Sequence, residues 1–243
     1  MTPKPVVKSY TLPPTPLIPN SPHPLLHYPA LLHDLVSSPT FSTPQIFDLF
    51  ASNGWQTQWI AKYGPDIQAH YHSTTHECMA VISGSGATIR FGVADDAAWE
   101  HGKFEHGERA QGEVGGIDIE ARLGDVFIIP AGVAHKTFSP VPRSSDLTFH
   151  QPPDIAAGQA SSATSAEDAA RHRAFFAKVP VKGEFMMMGA YPVGGVWDFA
   201  VGGEHRGREG EVWGVRGPRA DPVLGGSGEG VCGLWGEKTD VVV

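Results

Sequence analysis

Glycine and proline punctuate this chain from end to end, 29 and 21 of them in 243 residues, leaving only short apolar or alternating runs between them. Proline fixes φ and removes a backbone donor, so few windows are long enough for a helical bundle. Many short strands are the expectation. "ATIRF" (87–91) alternates Ala87, Ile89 and Phe91 with Thr88 and Arg90, the period of a strand with one face in water. "ECMAVI" (77–82), "DVFIIP" (125–130) and "FMMMGAY" (185–191) are continuous apolar runs, as in strands covered on both faces. Further strands are expected at "WQTQWIA" (55–61), at residues 68–72 and at "IDIEARL" (117–123).

Two helices interrupt this pattern. In "TPQIFDLFASNG", Thr43 can cap, Pro44 suits the first helical position, Ile46, Phe47, Leu49 and Phe50 form an apolar side, and Asn53-Gly54 ends the run. In "SAEDAARHRAFFAKV", Ser165 caps with Asp168 three residues on, inside a Ser/Ala-rich insertion at 143–180. Residues 1–30 read as an extended proline-rich arm that builds neither sheet nor helix, and Asp95–Gly116 as a long polar loop. The expected units are thus the arm (1–30), a first β part (31–142), the insertion (143–180) and a completing segment (181–243).

A net charge of −8 and the lack of any Lys/Arg run disfavour nucleic-acid and anionic-membrane partners. No apolar stretch reaches the roughly 18–20 residues a spanning helix needs. The amino terminus is too proline-rich for a secretory signal, and two cysteines are too few for a disulfide framework, so a reducing, cytoplasmic location is the default. Cys78, inside an apolar run, reads as a buried thiol.

The chemistry concentrates in "HYHSTTHECMAVISGSG" (70–86). On a strand His70 and His72 share a face, about 6.5–7 Å apart, with Tyr71 on the other. Ser73-Thr74-Thr75 can turn the chain so that Glu77, opening the next strand, returns a carboxylate beside the imidazoles, three donors from one hairpin. Downstream, "GDVFIIPAGVAH" ends a strand at Pro130, turns at Ala131-Gly132 and restarts at His135, which could approach from the opposite wall. Three histidines and a carboxylate suit a divalent transition metal (Mn, Fe, Ni, Cu or Zn) and leave two of six positions open. The bland alternative is four hydrogen-bonded residues with no ion.

Other features have plainer readings. His76, next to Glu77, faces the other way, towards the surface or behind the ligands. His101 and His106 sit in the acidic loop. "GSG" (84–86) is a hairpin turn, "MMM" (186–188) core, and Trp197-Asp198 packing plus a turn. Thr137 should face inward with His135 and Lys136 outward, and Gln58 or Trp59 could line the cavity. No nucleophile elbow or Cys/His nucleophile arrangement is present, which disfavours hydrolases.

Gly64, His70-x-His72, Glu77 and Gly84 resemble the first cupin motif, and Gly124, Pro130-x-Gly132 and His135 the second, with Ser139 where that pattern often carries asparagine. "PLLHYP", "HYHSTTHE", "PAGVAHK", "GAYP", Trp197-Asp198 and "DPVLG" are similar to the YjlB-like single-domain cupins of bacteria and fungi. The resemblance covers residues 17–142 and 185–235. It implies an all-β fold, a single jelly-roll antiparallel β-barrel with one or two short helices, with His70, His72, Glu77 and His135 as ligands of one divalent ion. It also implies a homodimer. The expected function is metal-dependent action on a small oxygen-chelating substrate, dioxygenase-type oxidation first. The alternatives are redox-silent lyase, isomerase or cyclase chemistry, or a non-catalytic binding or sensing module.

Overall fold

The computed structural model describes residues 4–65, 67–95, 113, 115–156, 165–181 and 183–236. His101 and His106, with most of the polar loop, lie outside the described residues. In chain order the elements are β1 (Lys8–Tyr10), β2 (Leu25–Tyr28), α1 (His33–Val36), α2 (Thr43–Ser52), β3 (Trp55–Lys62), β4 (Glu77–Ser83), β5 (Gly86–Phe91), β6 (Ile117–Ala121), β7 (Val126–Ile129) and β8 (His135–Val141), followed by β9 (Thr148–His150), α3 (Pro153–Ala156), α4 (Ala166–Phe176), β10 (Met186–Pro192), α5 (Glu209–Trp213) and α6 (Val231–Leu234).

The strands form two antiparallel sheets, a seven-stranded one ordered β1-β2-β7-β4-β10-β3-β9 and a three-stranded one ordered β6-β5-β8. The expected barrel therefore takes the form of a two-sheet roll. Helical segments are more numerous than the one or two expected, but only α2 and α4 exceed a turn or two.

The hydrophobic pattern explains the layers. On β4, Cys78, Ala80 and Ile82 face the layer that holds Ile46, Phe47, Phe50 and Phe176 of the two longer helices. Met79 and Val81 face the other way, into the core between the sheets with Ile89, Phe91 and Phe127. β10 divides alike, Met186 and Met188 outward to the helices and Met187 inward. Burial on both faces is why these strands read as unbroken apolar runs. β5 belongs to the smaller sheet, covered on one face only, and its burial alternates residue by residue.

Local chemistry sets the helix ends. Ser42, not Thr43, caps α2: the Gln45 side chain accepts from the Ser42 amide at 2.8 Å. The Thr43 hydroxyl instead donates to the Phe176 carbonyl at 2.7 Å, tying the two longer helices together. Ser165 caps α4 as expected, accepting from the Asp168 amide at 3.0 Å.

Three expectations are corrected. The proline-rich arm does build sheet, since β1 pairs with β2 and β2 with β7; its prolines fall outside the paired residues, where no donor is needed. "GSG" is not a hairpin turn, because β4 and β5 lie in different sheets; it is the bend that carries the chain between them. That bend requires glycine: Gly84 has φ +87°, and a Cβ there would sit 2.6 Å from the Phe185 Cα. Residues 68–72 are not a full strand but make isolated bridges, His70 to His135 and Tyr71 to Ala200.

Candidate metal centre

His70, His72 and Glu77 do not share a hairpin. His70 exchanges backbone hydrogen bonds with His135 (2.8 and 3.2 Å), which extends the smaller sheet, whereas Glu77 opens β4 in the larger one. The turn at 73–76 thus crosses from one sheet to the other, and the donors meet across the core. Alternation still places Tyr71 opposite the imidazoles, in a separate buried cluster with Ile18, Ala94, Ala134 and Ala200.

One nitrogen each from His70, His72 and His135 lie within 4.8 Å of one another, and all three side chains are buried, so the triad could hold a metal ion. Each ring directs Nδ1 at a backbone carbonyl: His70 donates to Gln68 at 3.1 Å, His135 to Val133 at 3.3 Å, and His72 to Asp198. Those bonds assign the proton to Nδ1 and leave Nε2 as the ligand atom. Glu77 Oε2 lies 3.3 Å from His72 Nε2 and 3.1 Å from His135 Nε2, roughly the ~3 Å between neighbouring ligands that sit ~2.1 Å from one ion. Despite this closeness the oxygen is buried with no hydrogen-bond partner. The group whose atoms all lie within 4.8 Å of one another is the three histidines, and a cation held there would also satisfy this neighbouring oxygen, so the residues present are compatible with the metal that the two motifs imply.

Burial opposes charge on Glu77, but the neighbouring His72 and His135 outweigh it and hold the carboxyl well below its ordinary range. Burial likewise opposes charge on His72, and Glu77 lifts it nonetheless. His70, desolvated and beside the other two imidazoles, is pushed well below its ordinary value.

The centre lies on the wall of a cavity of about 310 Å³. Trp59 and Thr137 line it as expected; Gln58 does not, being turned to the Gly195 carbonyl at 3.4 Å. Lys136 points away from it and pairs with Asp95 at 3.2 Å. His76 is buried rather than at the surface: its Nδ1 accepts from the Ala131 amide at 2.9 Å and its Nε2 donates to the Arg216 carbonyl at 3.1 Å, bracing the turn before His135.

Sequence reasoning missed three contributors. Tyr191 donates to Glu77 Oε1 at 2.7 Å and accepts from Trp59 Nε1 at 3.0 Å, fixing the carboxylate from behind. Its place on β10, inward like Met187, was readable from alternation had the register been known. Asp198 does more than pack: its carboxylate accepts from the Ser73 amide and hydroxyl, both at 2.7 Å, while its carbonyl holds His72. Finally, β9, within the Ser/Ala-rich segment 143–180, pairs with β3, and Leu147, Phe149 and Gln151 around it reach the cavity.

Two antiparallel sheets enclose converging histidines from both motifs, the arrangement that the resemblance to cupins implies. No family model matches the chain. It is similar to YjlB of Bacillus subtilis (strain 168), itself uncharacterised, at 31% identity over 136 residues, 56% of this chain. The match spans 64% of that relative's length. Among solved structures, the 11S allergen of Cocos nucifera and an 11S globulin of Wrightia tinctoria are each 11% identical, at a TM-score of 0.28. They cover 63% and 65% of this chain and 26% and 30% of their own, a likeness too low to bear on the assignment. Among the described residues no helix is long and apolar enough to cross a membrane.

Proposed function

We propose that this chain is a metal-dependent cupin whose ion, held by His70, His72, Glu77 and His135, binds a small organic substrate through two oxygens and directs its oxidation by dioxygen. The observation that carries the reading is the unpartnered Glu77 oxygen facing imidazoles whose outer nitrogens are already committed to carbonyls. A bound divalent ion would supply Lewis acidity and, as iron, manganese or copper, a redox centre.

The surroundings support oxidation over proton-transfer chemistry. Apart from the ligand set, the ionisable groups on the described wall are the phenols of Tyr63 and Tyr191. Burial pushes both upward, with Glu77 adding to it, so they act as hydrogen-bond donors and not as bases. An isomerase or lyase needs a base at the substrate throughout its turnover; an oxidation centred on the ion asks only that the substrate lose one proton on binding.

Protein purified without a chelating tag should carry about one transition-metal ion per chain, and oxygen uptake with chelating substrates should track metal content. His72→Ala and His135→Ala should each lose most of the metal while the fold, built by apolar strands, survives. Full occupancy in both variants overturns the ligand set. Metal and ligand bound with no oxygen consumed replaces the enzyme with a binding module.

A further inference from the structure

We infer that the cavity takes a flat, conjugated molecule carrying at most one negative charge, such as an aryl β-diketone or a catechol, bound edge-on through adjacent oxygens. This rests on the metal reading above and narrows it to a substrate class.

The first argument is charge. Among the described residues that line the cavity there is no lysine or arginine, and the carboxylate present is Glu77. A divalent ion with one carboxylate and three neutral imidazoles leaves one positive charge to be matched. A single deprotonated oxygen, as in an enolate or a catechol monoanion, does so. A second carboxylate or a phosphate would be desolvated without a partner, which proteins avoid because the cost is several kcal/mol.

The second argument is shape and surface. At about 310 Å³ the cavity is at the small end of the ~300–1,000 Å³ typical of ligand sites. Trp59, Phe149, Trp197 and Phe199 are among its lining residues. Phe199 lies parallel to the His70 ring, with centroids 4.1 Å apart and planes 12° apart. Phe149 stands edge-on to Trp59 at 5.8 Å and 76°. Phe149 and Phe199 line the cavity and remain 47% and 51% exposed, so both keep apolar surface uncovered.

The third argument is hydrogen-bonding capacity. Away from the ion, the uncharged polar side chains on the described wall include those of Gln68, Gln151 and Thr137. A polyol with a hydroxyl on every carbon would leave several of its groups unpaired against aromatic walls. Sugars and sugar acids therefore fit poorly, and a ring with two oxygens at one end fits well.

The test is calorimetric titration of full-length protein, metal-loaded and metal-free, with benzoylacetone, malonate and gluconate, and metal content measured after each titration. Metal-loaded protein should bind benzoylacetone at least 10-fold more tightly than malonate or gluconate. Phe149→Ala should weaken benzoylacetone by 10-fold or more with metal content and malonate affinity unchanged. Equal or tighter binding of malonate or gluconate by the loaded protein overturns the substrate class and leaves the metal reading intact. Benzoylacetone binding equally well to metal-free protein overturns the metal reading and leaves the aromatic wall as the recognition element.

Discussion

Removing the Asp198 carboxylate tests how a side chain outside the ligand set governs the centre. It clamps residues 196–200 to the Ser73-Thr74 turn, accepting from the Ser73 amide and hydroxyl at 2.7 Å each and from the Thr74 hydroxyl at 3.4 Å. Two well-formed bonds to a charged acceptor are worth about 1.5–3 kcal/mol each when buried. Asp198 is half-buried, and Ser73 and Thr74 can rehydrate once released, so about 2–3 kcal/mol in all is the expected local loss for Asp198→Ala. Global stability should fall by less, because the segment can detach without opening the sheets. Its carbonyl then no longer fixes His72 with Nδ1 protonated, and loss of such a contact lowers metal affinity about 10–100-fold, or roughly 1.4–2.8 kcal/mol. Competition against a chromophoric chelator measures the affinity and urea denaturation the stability, with Asp198→Asn as the shape-preserving control. An alanine variant that detaches the segment, seen as faster amide exchange at Ser73, yet binds metal like the parent refutes the positioning argument.

Other variants probe the surrounding framework. Tyr191→Phe strands Glu77 Oε1 and the Trp59 indole N–H, two buried groups at about 1–3 kcal/mol each, so urea titration should show a loss of about 2–4 kcal/mol. Ser139 has φ +52° in the bulge where β8 slips against β5, and Ser139→Gly should raise stability by about 0.5–1 kcal/mol in the same assay; a loss there would mean the side chain makes a contact worth more than the strain. In Gly189→Ala the new methyl would lie 1.9 Å from Trp59 Cε2, so the indole must leave its place on the cavity wall; lost or shifted tryptophan fluorescence with stability down by about 1–3 kcal/mol or more is expected, and an unchanged spectrum would show the ring is not seated there.

The chain's own order of residues made β3 to β8 and β10, both longer helices and the triad of His70, His72 and His135 legible. A strand covered on both faces has to be apolar throughout, and a helix against a sheet has to show an apolar side, so these signals are local. His70 and His72 were legible because side chains two apart on an extended segment share a face, whatever partner the segment takes.

Tertiary structure alone decided which sheet each strand joined. The bends at 73–76 and 84–86 look like hairpin turns because glycine, serine and threonine suit any sharp change of direction, and only pairing shows that both pass the chain from one sheet to the other. The same holds for the contacts from a distance. Tyr191 reaches Glu77 across 114 positions and Asp198 reaches Ser73 across 125, and no periodicity encodes a meeting of that kind. Sequence carries the chemical character of each side chain and the face it takes; the neighbour on that face is fixed by how two sheets, once their apolar faces are buried, come to lie against each other.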